Sequence, residues 1–433
     1  MKYGQNMPGR LRGFGVAALT GGLLAITGAA PAQAAECPVS DGAGLATKLA
    51  DSGCSVITLA PGTYVGGFSV VRTVTIAGAG AAQTTLVGPG DNILAISGGN
   101  VSLSGVTISG SALHSGIANT GATSTVTVSN SVITGNGDSG IRSSSNATPS
   151  VTVTDSVISD NFAGAGGGVS VTGAPATLNF NRVLFTGNNA ISNGGAISND
   201  VSAATVTLTN VTLTDNHAAA NGGALYNNGP GALFDLNNVT VAGNVADYDM
   251  NGTGDGGGIA LTGVLSVRNS IIANNVDRGG ATVANDCAGN GSFGLTTRLG
   301  YELLRDPSGC AFDSSGGTDT AVGYLTGIDP LLGSLAPGAA TALPPASLPL
   351  LAGSPAIGAG NPAAPGSGGA ACDAVDQRGV PRGGGNGVCD IGAFELQVPP
   401  PPSPSVPAAT KKKCKKGFKL VKKHGKKKCK KKK

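Results

Sequence analysis

Val126-Thr-Val-Ser-Asn-Ser-Val-Ile-Thr-Gly-Asn136 is answered 25 residues later by Val151-Thr-Val-Thr-Asp-Ser-Val-Ile-Ser-Asp-Asn161. The same frame opens at 101–110 and returns at 178–188, 206–216, 234–244 and 265–275. The closing position of each unit forms a column, Ser111, Asn136, Asn161, Asn188, Asn216, Asn244 and Asn275, with spacings of 25, 25, 27, 28, 28 and 31. Inside each unit apolar residues alternate at period two, as in Val126/Val128, Val151/Val153, Leu178/Phe180, Val206/Leu208, Phe234/Leu236 and Leu265/Val267. A further apolar column runs Ile108, Ile133, Ile158, Phe185, Leu213, Val241, Ile272, and glycine-led strands follow at 139–141, 167–169, 195–197, 223–225 and 257–259.

A unit of two or three short strands with one apolar face cannot bury that face alone. Stacked copies can, with each strand bonded to its equivalent in the next coil. The pattern therefore predicts an all-β fold, a parallel β-helix. The crossover rule favours the right-handed form. At about 4.8 Å per coil the repeats make a rod of roughly 45 Å. A second polar column, Asn130, Asp155, Arg182, Asn210, Asn238 and Asn269, is expected at a corner, where stacked amides can bond along the ladder.

The repeats resemble the right-handed parallel β-helix superfamily that includes pectate lyases. They resemble more closely those of polymorphic outer-membrane proteins, on Gly194-Gly195-Ala196-Ile197 and Phe185-Thr186-Gly187-Asn188, with Gly222-Gly223-Ala224-Leu225 a near match. The resemblance covers roughly residues 60–285 and implies a fold, not an activity.

Composition fits this reading. The 433 residues include 72 glycines, 4% aromatic and 12% charged residues, and no tryptophan. The glycines lack the three-residue period of collagen, and 40% hydrophobic content with so little charge excludes a disordered chain. The net charge of +4 hides a division: residues 35–410 carry −14, and the 15 lysines of 411–433 carry +15. Lys48 is the sole lysine between Lys2 and Lys411.

Lys2, Arg10 and Arg12 precede an apolar run from Phe14 to Ala30, and Pro31-Ala32-Gln33-Ala34 supplies a small-residue cleavage site. An export leader over 1–34 is expected, with an extracellular or cell-surface mature chain and no membrane span within it. The eight cysteines fall into local pairs, Cys37/Cys54, Cys287/Cys310, Cys372/Cys389 and Cys414/Cys429. In an oxidising compartment the simplest assignment is four local disulfides, although spacing alone leaves the connectivity open. The absence of C-x-x-C spacing argues against zinc.

The ends of a solenoid must be covered. Residues 35–57 are expected to form an N-terminal cap, with a short amphipathic helix over 42–51 turning Leu45 and Leu49 inward. The repeats occupy 58–286. Residues 287–396 are expected to form an irregular C-terminal cap. That region resembles the Q-type choice-of-anchor segment of bacterial surface proteins. The resemblance rests on Asp329-Pro330-Leu331-Leu332-Gly333, Gly353-Ser354-Pro355-Ala356-Ile357, Asp376-Gln377-Arg378-Gly379 and Cys389-Asp390-Ile391-Gly392-Ala393-Phe394-Glu395. It implies surface attachment through the final tail and no catalysis. Arg378 is expected to pair with Asp376, Asp390 or Glu395 and so close the end. A proline-rich linker over 397–410 leads to a basic tail over 411–433, read as disordered or as a hairpin closed by Cys414 and Cys429. Lys411, Lys412, Lys413, Lys415, Lys416, Lys422, Lys423, Lys426, Lys427 and Lys428 are its polyanion-binding candidates. Anionic wall polymers, glycans or lipid headgroups are the expected partners, without specific nucleic acid. Oligomeric state is open.

Catalytic signals are sparse. Asp160 and Asp215 share one column beside the asparagines, two coils or about 9.6 Å apart. That is beyond a retaining glycosidase pair and just past the span of an inverting one. His217 adjoins Asp215 and reads as an exposed turn residue. The one motif with cofactor spacing is Asp247-Tyr-Asp249-Met-Asn251-Gly252-Thr253-Gly-Asp255, with oxygen ligands at alternate positions and a turn glycine. That suits calcium, but Gly258 stands where the bidentate glutamate belongs. No other cofactor is indicated. Three functions follow: a non-catalytic structural, adhesive or glycan-contacting surface rod; a secreted polysaccharide lyase or glycoside hydrolase of this fold; or a polyanion binder acting mainly through its tail.

Overall fold

Residues 150–171 show how one coil is built. Ser150–Ser159 is a strand that bends at Asp155, Phe162–Ala163 adds a two-residue strand, and Val169–Val171 completes the circuit. The computed structural model describes residues 36–397 other than 89, 146, 280–284, 290–295, 311–321, 337 and 385–386, and 414–432 other than 424–425. The expected leader, residues 398–410 of the expected linker, and Lys411, Lys412 and Lys413 lie outside the described residues.

The alternation seen in the sequence becomes the coil-to-coil register, parallel throughout. Val151 pairs with Leu178, Leu178 with Val206, Val206 with Phe234, and Phe234 with Leu265. Ile133, Ile158, Phe185, Leu213, Val241 and Ile272 stack in the same way on the next face. A nine-stranded sheet closes the coil, running from Phe68–Val70 to Cys287–Gly289. These columns point inward and are almost wholly buried. Each such side chain contributes roughly 1.5–3 kcal/mol against the entropy of ordering the chain. The chain is thus a parallel β-helix with very little helix.

Corners explain the polar columns. Asn130, Asp155, Arg182, Asn210, Asn238 and Asn269 all adopt left-handed backbone, with φ between 48° and 55°. Asn and Asp tolerate that region and a bulky residue does not. Arg182 is the exception, held by two bonds to Asp155 at 2.6 and 2.7 Å. This column does not form the expected amide ladder. The ladder belongs to the other column, where Asn136, Asn161, Asn188, Asn216, Asn244 and Asn275 each donate from Nδ2 to the Oδ1 of the next residue at 2.9–3.0 Å. It ends on Asp286, which only accepts.

At the N-terminal end Gly42–Ala50 is a helix, capped by Asp41 and burying Leu45 and Leu49. Ahead of it, Glu36–Val39 pairs in parallel with Val56–Leu59, a strand the sequence reading did not include. The four disulfides join Cys37 to Cys54, Cys287 to Cys310, Cys372 to Cys389 and Cys414 to Cys429.

The C-terminal region departs most from expectation. After the last paired segments, Leu303–Leu304 and Leu325–Thr326, residues 329–396 double back along the side of the coils. Leu350, Ala356 and Ile391 pack on Ile271, Ala273 and Leu303. The short turn at Ala339 packs on Val132, Val157 and Leu184. These are outward-facing positions of one strand column, which reads Val132, Val157, Leu184, Thr212, Thr240, Ile271, Leu303. Arg378 pairs with Asp376 as expected, at 2.5 Å. The buried cation at the junction is instead Arg382, which bonds Asn210 Oδ1 at 2.8 Å and Glu395 at 3.5 Å. Burial holds its guanidinium pKa down, against the pull of Glu395, Asp376 and Asp390. The corner asparagines serve this strap: Asn210 donates to Asp373, Asn238 accepts from the Asp373 amide, and Asn269 accepts from the Asn361 amide. The tail, expected to be disordered in one reading, is an antiparallel hairpin of Phe418–Lys423 and Lys426–Lys431. The alternation of Phe418 and Leu420, the β-branched Val421 and the disulfide account for the strands.

Candidate functional site

Asp160 and Asp215 belong to a second left-handed column. Gly110, Gly135, Asp160, Gly187, Asp215, Gly243 and Asn274 all have φ between 53° and 83°. Residue types tolerant of that backbone occupy every coil, so the two aspartates are accounted for as corner residues. Gly187 lies between them, and a Cβ there would collide with Asp160 Oδ1. Burial raises the Asp160 carboxyl pKa, opposed by the Ser159 and Thr134 hydroxyls.

His217 is not an exposed turn residue. It lies in the short strand His217–Ala218, half-buried, in register with Asn189 and Val245. Its ring meets that of Tyr248 at 4.5 Å, tilted 35°. The Arg278 guanidinium sits 5.3 Å from the Tyr248 centroid. Burial and Arg278 lower the imidazole pKa, and Asp215 opposes them. Burial and Arg278 thus favour the neutral imidazole over the imidazolium. Tyr248 and Arg278 were missed in the sequence. The 31-residue spacing marks the longer coil, but not that it returns Tyr248 over the preceding one.

The Asp247–Asp255 loop folds on itself. Asp247 is fully buried and accepts from the Asn251 amide at 3.0 Å and the Gly252 amide at 3.1 Å. Asn251 donates to Asp249 at 2.8 Å and accepts from the Thr253 amide at 2.8 Å. The Asp255 amide donates to Asn221 Oδ1 at 3.0 Å, and burial, with Asp277 nearby, raises its carboxyl pKa. Among the described residues no three His, Cys, Asp or Glu side chains converge as a metal-holding group.

The same edge ends in an open cleft of about 480 Å³ lined by Asn274, Val276, Asn285, Asp286, Arg305 and Asp306. Asp286 terminates the asparagine ladder there, and its second oxygen accepts from the Asp306 amide at 2.8 Å. Burial raises its pKa, and those bonds oppose the rise.

The tail presents exposed Lys415, Lys416, Lys422 and Lys428. Lys423, Lys426 and Lys427 lie in the hairpin strands. No helix among the described residues is long and apolar enough to cross a membrane.

A family model described as a right handed beta helix region matches residues 54–211. Among solved structures, an alginate lyase from Paenibacillus sp. str. FPU-7 aligns at a TM-score of 0.34 and 14% identity, over 58% of this chain and 98% of that one. No curated protein matches.

Proposed function

We propose that the chain is a secreted, cell-surface β-helix rod that contacts glycans without cleaving them and is attached through its lysine tail. The division of charge carries this reading. In the body five of the arginines are engaged in ion pairs. Arg142 pairs with Asp138, Arg182 with Asp155, Arg268 with Asp235, Arg378 with Asp376 and Arg382 with Glu395. The cationic charge free to meet a surface is concentrated in the disulfide-closed hairpin, on a body of −14. The resemblance to choice-of-anchor proteins supports surface attachment. Calcium in the 247–255 loop belongs to the same reading as a stabiliser of that loop. Calorimetric titration of residues 35–396 tests it, and no heat at millimolar calcium rejects that part.

A second reading, a polysaccharide lyase or hydrolase, is favoured by one observation. His217, stacked on Tyr248 near Arg278 and Asp215, has the elements of an acid–base site. A glycan-array and polysaccharide-cleavage screen of residues 35–433 separates the two. Binding without cleavage supports the rod. New reducing or unsaturated ends that vanish in His217→Ala overturn it.

A further inference from the structure

The hairpin has two unlike faces. Residues directly opposite in an antiparallel pair share a face, so Phe418, in register with Lys431, and Leu420, in register with Cys429, lie on one face, which continues at Lys422, in register with Lys427. Lys419, Lys430, Val421 and Lys428 occupy the other side. Phe418 and Leu420 are 42% and 45% exposed. Cys429, opposite Leu420, is tied to Cys414 and extends the apolar strip.

A soluble polyanion needs ammonium groups only, and exposed Phe and Leu side chains add nothing to counterion release. At an anionic bilayer both features act together. Lysines are drawn to the headgroup charge, and the apolar strip enters the acyl boundary. Lysine stems are long enough to keep their charged ends among the headgroups while the strip is immersed. A two-stranded hairpin alone is marginal in water, and the Cys414–Cys429 bridge keeps the strip assembled.

Resting on the attachment reading above, we infer that the tail is an interfacial anchor. Its occupant is an anionic lipid surface, with Phe418 and Leu420 inserted and the disulfide required. The chain has no tryptophan, so Phe418→Trp in residues 35–433 places one reporter on the strip. The expected result is a blue-shifted emission, quenched by bromolipids, with vesicles of phosphatidylcholine plus an anionic phospholipid, and no shift with phosphatidylcholine alone. Phe418→Ser/Leu420→Ser should weaken vesicle binding about ten-fold while leaving binding to long-chain polyphosphate unchanged. Cys414→Ser/Cys429→Ser should weaken vesicle binding as well. Unshifted emission on bound vesicles, or equal vesicle affinity of the serine double variant, overturns the inference. Binding to polyphosphate with none to vesicles also overturns it and leaves attachment standing. Deleting 411–433 and finding the protein still on cells rejects attachment itself, separately from the emission result.

Discussion

Asn188→Asp is the sharpest test of the ladder, because it changes one amide nitrogen to oxygen at constant shape. Asn188 is fully buried. Its Oδ1 accepts from Asn161 N at 3.2 Å and Asn161 Nδ2 at 3.0 Å, which aspartate retains. Its Nδ2 donates to Ile158 O and to Asn216 Oδ1, both at 2.9 Å. Aspartate turns both contacts into oxygen against oxygen. Each buried bond broken without a replacement partner costs about 1–3 kcal/mol, so roughly 3–5 kcal/mol is expected near neutral pH. A proton relieves part of this, since the neutral acid donates one bond. The variant carboxyl therefore has a folded-state pKa above the unfolded value near 3.9. The native state then binds more protons than the unfolded state between those two pKa values. The deficit is full above the folded pKa and shrinks as pH falls through it. Urea unfolding of residues 35–433 across this range, with hydrogen exchange at Phe185 and Leu213 to localise the loss, measures it. At the ladder's end Asp286 already accepts on both oxygens, so Asp286→Asn there should lose only the Asp306 amide contact, about 1–3 kcal/mol. A pH-independent Asn188→Asp deficit, or one under about 0.5 kcal/mol at pH 7, would refute the ladder as the source of stability.

Leu184→Ser removes the buried contact under Ala339 and should cost about 2–4 kcal/mol of strap docking. Limited proteolysis should then cut between 333 and 348 faster, and an unchanged rate refutes the lateral strap. His217 should titrate below its ordinary value by NMR. Asp215→Asn should lower it further, because that carboxylate favours the imidazolium, and Arg278→Gln should raise it. A rise in Asp215→Asn contradicts the described geometry.

Period and register were legible because they depend on what each coil repeats. The Asn column fixed the frame, and Val151/Leu178/Val206 fell into register without adjustment. The corner role of Asp160 and Asp215 was legible too, in a column otherwise holding Gly and Asn. Reading carboxylates apart from their column neighbours hid it. The lateral strap was harder, since it joins positions far apart in the chain, such as Thr212 and Gln377, 165 residues apart. Its trace was Val132, Val157 and Leu184, apolar side chains where alternation calls for Ser or Thr. The His217–Tyr248 contact depends on how one lengthened coil folds back, which no spacing encodes.

Stacking geometry accounts for why the body carries so little positive charge. In-register coils place equivalent side chains about 4.8 Å apart. A lysine repeated at one outward position would face its copy there, at about 1 kcal/mol per contact in water and more than 3 at the lower dielectric of a protein surface. Hydroxyl columns avoid this, and so do opposite charges on neighbouring coils, as in Asp155 with Arg182. A regular parallel rod therefore resists a dense cationic site on its own faces. A chain that needs both must place its cations where register ends, and here they follow a proline-rich segment into an antiparallel hairpin. There direct cross-strand lysine pairs such as Lys419 and Lys430 destabilise the hairpin in isolation and are relieved by an anionic surface. The position of the lysines in the chain thus follows from the same ladder geometry that builds the rod.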